Sequence, residues 1–84
     1  MKEFVKITYQ ENADAVLCGA KRFDFFEKKY DIHCGDRFTY AVFEDMHRIK
    51  HGINNKTFEV TCVDDPPQIS SGLVIAGFKE VRTR

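Results

Sequence analysis

Eighty-four residues, 43% of them hydrophobic and 13% aromatic, suffice for one folded domain over residues 1–84 and are too apolar for a disordered chain. Thirteen basic residues balance thirteen acidic ones, so the formal net charge is zero. That balance excludes nucleic-acid binding by general electrostatic attraction and excludes a polybasic membrane anchor, and it confines any nucleic-acid site to a local patch or pocket.

No apolar run approaches the roughly 20 residues of a membrane span, and Met1-Lys2-Glu3-Phe4-Val5-Lys6 is too charged for a signal-peptide core. The expected location is the cytoplasm, with no membrane partner. Cys18, Cys34 and Cys62 are odd in number and lack the paired spacing of a disulfide framework, so reduced, mostly buried thiols are expected.

From the N-terminus, residues 4–9 alternate Val5, Ile7 and Tyr9 against Phe4, Lys6 and Thr8, the period of a strand. Ala13, Val16, Leu17 and Ala20 then fall on one face of a two-turn helix, with Asn12 as N-cap and Gly19 as the stop. Residues 22–26 return to a period of two. Phe23 and Phe25 share one face, while Arg22, Asp24 and Phe26 share the other, which leaves Phe26 on the polar side.

A polar loop over 27–35 leads to a strand at 37–43 whose inner face is Phe38, Tyr40 and Val42. Residues 44–56 have weak periodicity, and Asn54-Asn55, suited to positive φ, place a turn there. The cleanest alternation is Phe58, Val60 and Cys62, all three expected in the core opposite Phe38 and Tyr40. Asp64-Asp65-Pro66-Pro67 forms a loop that Ser70-Ser71-Gly72 closes, because prolines cannot donate to a ladder. Residues 73–78 are apolar on both faces, as in a strand covered on both sides. One short helix after the first of about five strands predicts an α+β, mainly β chain: a small barrel, closed or nearly so.

Gly19-Ala20-Lys21-Arg22-Phe23-Asp24-Phe25-Phe26 resembles the Gly-x-Lys-x-x-Glu-x-Arg signature of the ASCH family, in the PUA-like superfamily, and stands directly after the first helix as it does there. Cys34-Gly35-Asp36 is similar to the family's Val-Gly-Asp turn, and residues 72–78 resemble its closing strand. The nearest likeness is to a branch of very small ASCH-like proteins of bacteria and their phages. Gly19, Lys21, Gly35 and Asp36 are kept, but Asp24 replaces the motif's Glu and Phe26 replaces its Arg. The resemblance implies a PUA-like barrel with a cleft beside the first helix, recognising RNA or a modified nucleoside. Losing the Arg removes the charged fork on which phosphate recognition at that corner would rest.

Lys21 either complements the helix end or makes a point-charge contact to phosphate or a base carbonyl. Asp24 either accepts from a base's exocyclic amine or pairs with Arg22 at the surface. Phe26 either stacks on a base or joins the core. The run from His47 to Lys56 holds no acidic residue, and its Arg48 and Lys50 either are solvated or contact phosphate. His47 and His51 are four apart, a metal-binding spacing only on a helix, and no further ligand stands nearby, so no metal or cofactor is expected.

The expected function is an RNA- or nucleotide-binding module, with Lys21, Arg22 and Asp24 at the cleft rim and Arg48 and Lys50 on the backbone. Two alternatives are a nucleoside amidohydrolase and a non-catalytic protein-interaction adaptor of phage or mobile-element origin. Some ASCH members resemble amidohydrolases that use a lysine, a nearby hydroxyl and a later acid. Lys21 matches the first of these, but the hydroxyl position falls on Arg22 or Asp24, and Ser70 and Ser71 have no nucleophile elbow.

Overall fold

In the computed structural model, which describes residues 1–68 and 72–82, the first alternation builds β1 (Glu3–Tyr9) and runs directly into α1 (Gln10–Leu17). The helix ends at Gly19, whose φ of +84° suits a residue without a Cβ. Then come β2 (Phe23–Glu27), β3 (Arg37–Glu44), β4 (His47–Ile49), β5 (Thr57–Asp64) and β6 (Leu73–Val81). The strands form one curled half-barrel sheet in the order β1-β3-β5-β6-β2, with β4 added beside the end of β3. Among the described residues only β1 and β3 pair in parallel. No helix among the described residues is long and apolar enough to cross a membrane.

Phe38, 1% exposed, is the hub of the core. Its ring lies 5.3–5.6 Å from those of Phe4, Phe26, Tyr40, Phe58 and Phe78, the spacing at which edge-to-face and offset pairs are favourable. Ala13 and Val16 bring one face of α1 onto this cluster. Tyr9 occupies the N-cap position with no side-chain bond, and Asn12 is a buried member of the first turn rather than the cap.

Which face of each strand turns inward follows the ladder rather than the local count of apolar residues. Phe4, Lys6 and Thr8 lie opposite Phe38, Tyr40 and Val42, the large buried residues of β3. The more apolar set of β1, Val5, Ile7 and Tyr9, therefore points outward and is 61–66% exposed. The same happens on β2. Asp24 and Phe26 are buried, and Phe23 and Phe25 stand out at 45% and 40% exposed. Phe26 is thus a core residue, and the polar-looking face of its strand is the inner one.

Four other expectations are corrected. Cys62 is exposed, because a bulge after Val60 shifts the register and turns its side chain outward over Gly77. A Cβ on Gly77 would meet Cys62 Sγ at 3.0 Å. All three thiols are free, as expected, but exposed rather than buried. The 44–56 stretch holds a hairpin, turned by Asp45 and Met46 at φ of 48° and 70°, and a 3₁₀ turn at Gly52–Asn55. Asn54 keeps negative φ there, since its side chain caps the turn by accepting from His51 N and donating to Tyr40 O. Finally, β6 is fully covered on one face only: Val74, Ala76 and Phe78 are buried, and Leu73 and Ile75 are partly exposed. Ser70 and Ser71 lie outside the described residues.

The Cys34-Gly35-Asp36 turn has a structural task. Gly35 sits at φ +94°, and Asp36 accepts from the backbone N–H groups of His33 (2.9 Å) and Lys2 (3.0 Å). Burial pushes the Asp36 carboxyl up, but those two amides and the Lys2 charge outweigh it and leave the carboxyl below its ordinary range.

Candidate functional site

Because α1 starts where β1 ends, Asn12 in its first turn points back over Thr8 and across to β2. Its Nδ2 donates to Thr8 Oγ1 at 2.8 Å and to Asp24 Oδ2 at 3.0 Å, and its Oδ1 accepts from Lys21 Nζ. Tyr40, reaching up from β3, donates its hydroxyl to Asp24 Oδ2 at 2.6 Å. The other carboxylate oxygen accepts from Phe25 N at 2.8 Å and lies 3.9 Å from Lys21 Nζ. Thr8, Asn12 and Asp24 are all under 9% exposed. A carboxylate this deep is tolerable only because donors surround it and Lys21 neutralises it. Burial foremost, and then the Asp24 carboxylate, push the Tyr40 hydroxyl far above the usual phenol range, so it stays a neutral donor.

This network fixes Lys21 at the edge of a cleft beside α1. Val16, Leu17 and Gly19 form its helix side, Phe58 and Phe78 its floor, and Lys21, Arg22 and Lys79 bring three positive charges to it. Its volume is about 340 Å³, within the usual range of small-molecule sites. Glu80, its only acidic residue, is engaged by Lys56 at 3.2 Å. Lys21 Nζ also lies 5.5 Å from the centre of the Phe23 ring. A wider hollow of about 650 Å³ lies among Asn55, Lys56, Glu80, Val81 and Arg82, but it has no aromatic floor.

Of the residues singled out in the sequence, Lys21 and Arg22 meet at this cleft. Lys21 and Asp24 do come together, yet Asp24 is buried beneath the rim with both oxygens occupied, and it does not pair with Arg22. Phe26 lies in the core. Arg48 is opposite Phe43, which is opposite Tyr9, so it lies on the outward face of the sheet, away from the inward network. Lys50 is exposed beyond the end of β4 and does not line the cleft. His47 and His51 are not on a helix. His51 Nδ1 accepts from Ile53 N, which leaves Nε2 to donate to Asp14 Oδ1 at 2.7 Å.

Sequence reasoning missed Thr8, Asn12, Tyr40 and Lys79. A polar signal was present for three of them: a Tyr on an inner strand face needs a partner for its hydroxyl, and a Thr four residues before an Asn places both on one side of a strand-to-helix junction. Lys79 reaches the cleft only through the pairing of β5 with β6, which no local pattern shows. The chain matches no protein-family model, and no curated protein matches it.

Proposed function

We propose that the chain is an ASCH-type module that binds RNA or a nucleotide in the cleft beside α1. The observation that carries this reading is the meeting of Lys21, Arg22 and Lys79 over a floor of Phe58 and Phe78. Three cations with no free carboxylate among them suit a phosphate, and the apolar floor suits the uncharged part of a nucleotide. Asp24 acts through Lys21 as a positioning residue: its oxygens are occupied, so it holds the ammonium at the rim. Arg48 and Lys50 belong to a different surface and take no part. An amidohydrolase would need Lys21 free for proton transfer, whereas its ammonium rests between Asn12 and Asp24, and the nearby Thr8 and Tyr40 hydroxyls are bonded to those two side chains. Three exposed free thiols suit the reducing cytoplasm.

Titration of a labelled single-stranded RNA and of uridine monophosphate tests the reading. Lys21→Ala and Lys79→Glu should each weaken binding about ten-fold, the worth of one charge-assisted contact. Arg48→Glu with Lys50→Glu should leave it unchanged. Equal affinity in all variants, or loss only in the Arg48/Lys50 pair, would remove the cleft from consideration.

A further inference from the structure

The half-barrel has a seam. β1 is hydrogen-bonded only to β3 and β2 only to β6 among the described residues, so each turns one free edge outward at a margin of the sheet. Side chains, and no ladder, bridge the two margins: the Phe4 and Phe26 rings are 6.0 Å apart, and Lys6 Nζ sits 4.7 Å above the Phe26 ring. Phe4, Lys6, Ile7, Phe26, Glu27 and Tyr30 line a groove there of about 240 Å³, and Glu27 is held by Lys29 at 3.2 Å.

Lys6 is the anomaly in this groove. Six basic side chains are partly buried among the described residues: Lys2, Lys6, Lys21, Arg37, His51 and Lys56. Five of them hold a carboxylate, amide or carbonyl oxygen. Among the described residues Lys6 has neither an ion pair nor a hydrogen bond, only the ring of Phe26. Burial, its largest influence, accordingly pulls its ammonium below the ordinary range, against the pull of Asp24 and Glu27, with Lys21 adding to the decrease. Asp24 cannot serve as its direct partner, because Tyr40, Asn12 and Phe25 already occupy that carboxylate.

From the free edge of β1 and the unpaired Lys6 we infer that the seam docks an extended acidic segment of a partner protein, added as a strand along β1 with a carboxylate on Lys6. The backbone edge supplies a ladder that a peptide can continue and a phosphodiester chain cannot. Both lips are apolar, Val5, Ile7 and Tyr9 on β1 and Phe23 and Phe25 on β2, and all five are at least 40% exposed. An added strand would pair the bare β1 edge and set its own outward side chains beside the β1 row; edges left bare are otherwise blunted or paired. A second copy of β1 does not fit. An antiparallel pairing that keeps inward faces together sets Lys6 against Phe4, Thr8 or another Lys6, none of which carries a negative charge.

The test is an amide NMR titration of the whole chain with a blocked peptide, Thr-Val-Glu-Val-Thr, and its Gln and Lys counterparts in place of Glu. The Glu peptide should shift the β1 amides and bind about ten-fold tighter than the Gln peptide, the ratio one charge-assisted bond supplies. Lys6→Met should melt at or above the wild-type temperature and abolish that preference. Lys6→Glu should reverse it in favour of the Lys peptide, and Lys79→Glu in the cleft should leave it intact. The inference is overturned if millimolar Glu peptide leaves the β1 amides unmoved, or if all three peptides bind alike. It is equally overturned if the β1 shifts appear on concentrating the protein alone, or if single-stranded RNA competes for the same amides.

Discussion

Tyr40 makes the shortest of the bonds to the buried Asp24 carboxylate, at 2.6 Å. Replacing it with Phe leaves that oxygen with Asn12 alone, at a cost of about 1–3 kcal/mol for a charged group losing a buried donor. The pH dependence has a definite sign. The folded state holds the hydroxyl protonated well above its ordinary 10.0, so the stability it contributes is complete below pH 10 and is lost as pH rises above that. Urea titrations should therefore show Tyr40→Phe less stable at pH 7, with the gap to wild type unchanged up to about pH 10 and narrowing from there to about pH 12. A gap that stays constant across that range would mean that the hydroxyl is not shielded. Lys6 works in the opposite direction: its folded-state value is lowered, so its burden on the fold eases as pH climbs toward 10.5.

The β3–β4 hairpin turns on Asp45 and Met46, both at positive φ, and Met46 is 94% exposed. Asp tolerates that region, whereas an unbranched apolar side chain there gains nothing from packing. Met46→Gly should stabilise the chain by about 1 kcal/mol in chemical denaturation, with β3–β4 pairing retained; a loss of stability would show that entropy in the unfolded chain outweighs the strain. This hairpin also marks where the sequence was hard to read. Elements whose inner face is plainly apolar, such as Phe38-x-Tyr40-x-Val42 and Phe58-x-Val60, were legible as strands with their facing. On β1 and β2 the inner face carries Lys6, Thr8 and Asp24, and local hydropathy pointed to the wrong side, because the polar network is closed by Asn12 from α1 and Tyr40 from β3. The expectation of Lys21 and Arg22 at a cleft rim came from the resemblance of residues 19–26 to the ASCH signature and not from local periodicity. Lys79 was not, since only the β5–β6 register carries it there.

Across the whole molecule, zero net charge means that neither the cleft nor the seam gains from long-range steering, and contact must come from short-range groups at each. The sheet order also says something about how the chain assembles. β3 to β4 and β5 to β6 are joined through neighbouring stretches of sequence, but β1 waits for Arg37–Glu44 and β2 for Leu73–Val81. The N-terminal third, β1-α1-β2, is therefore a clasp whose two arms grip opposite margins of a sheet made by the rest. Closing it requires the longest loops in the molecule, so the later strands should pair first and the clasp should fasten afterwards. The same order run backwards predicts a sub-global opening: native-state hydrogen exchange should show β1 and β2 amides released together, at lower free energy than those of β5 and the β5-facing side of β6. A single common exchange energy for all strands would show that the clasp never opens alone. If it does open, the buried Asp24 network and the cleft rim it supports come apart in one step, so occupying either margin holds the other shut.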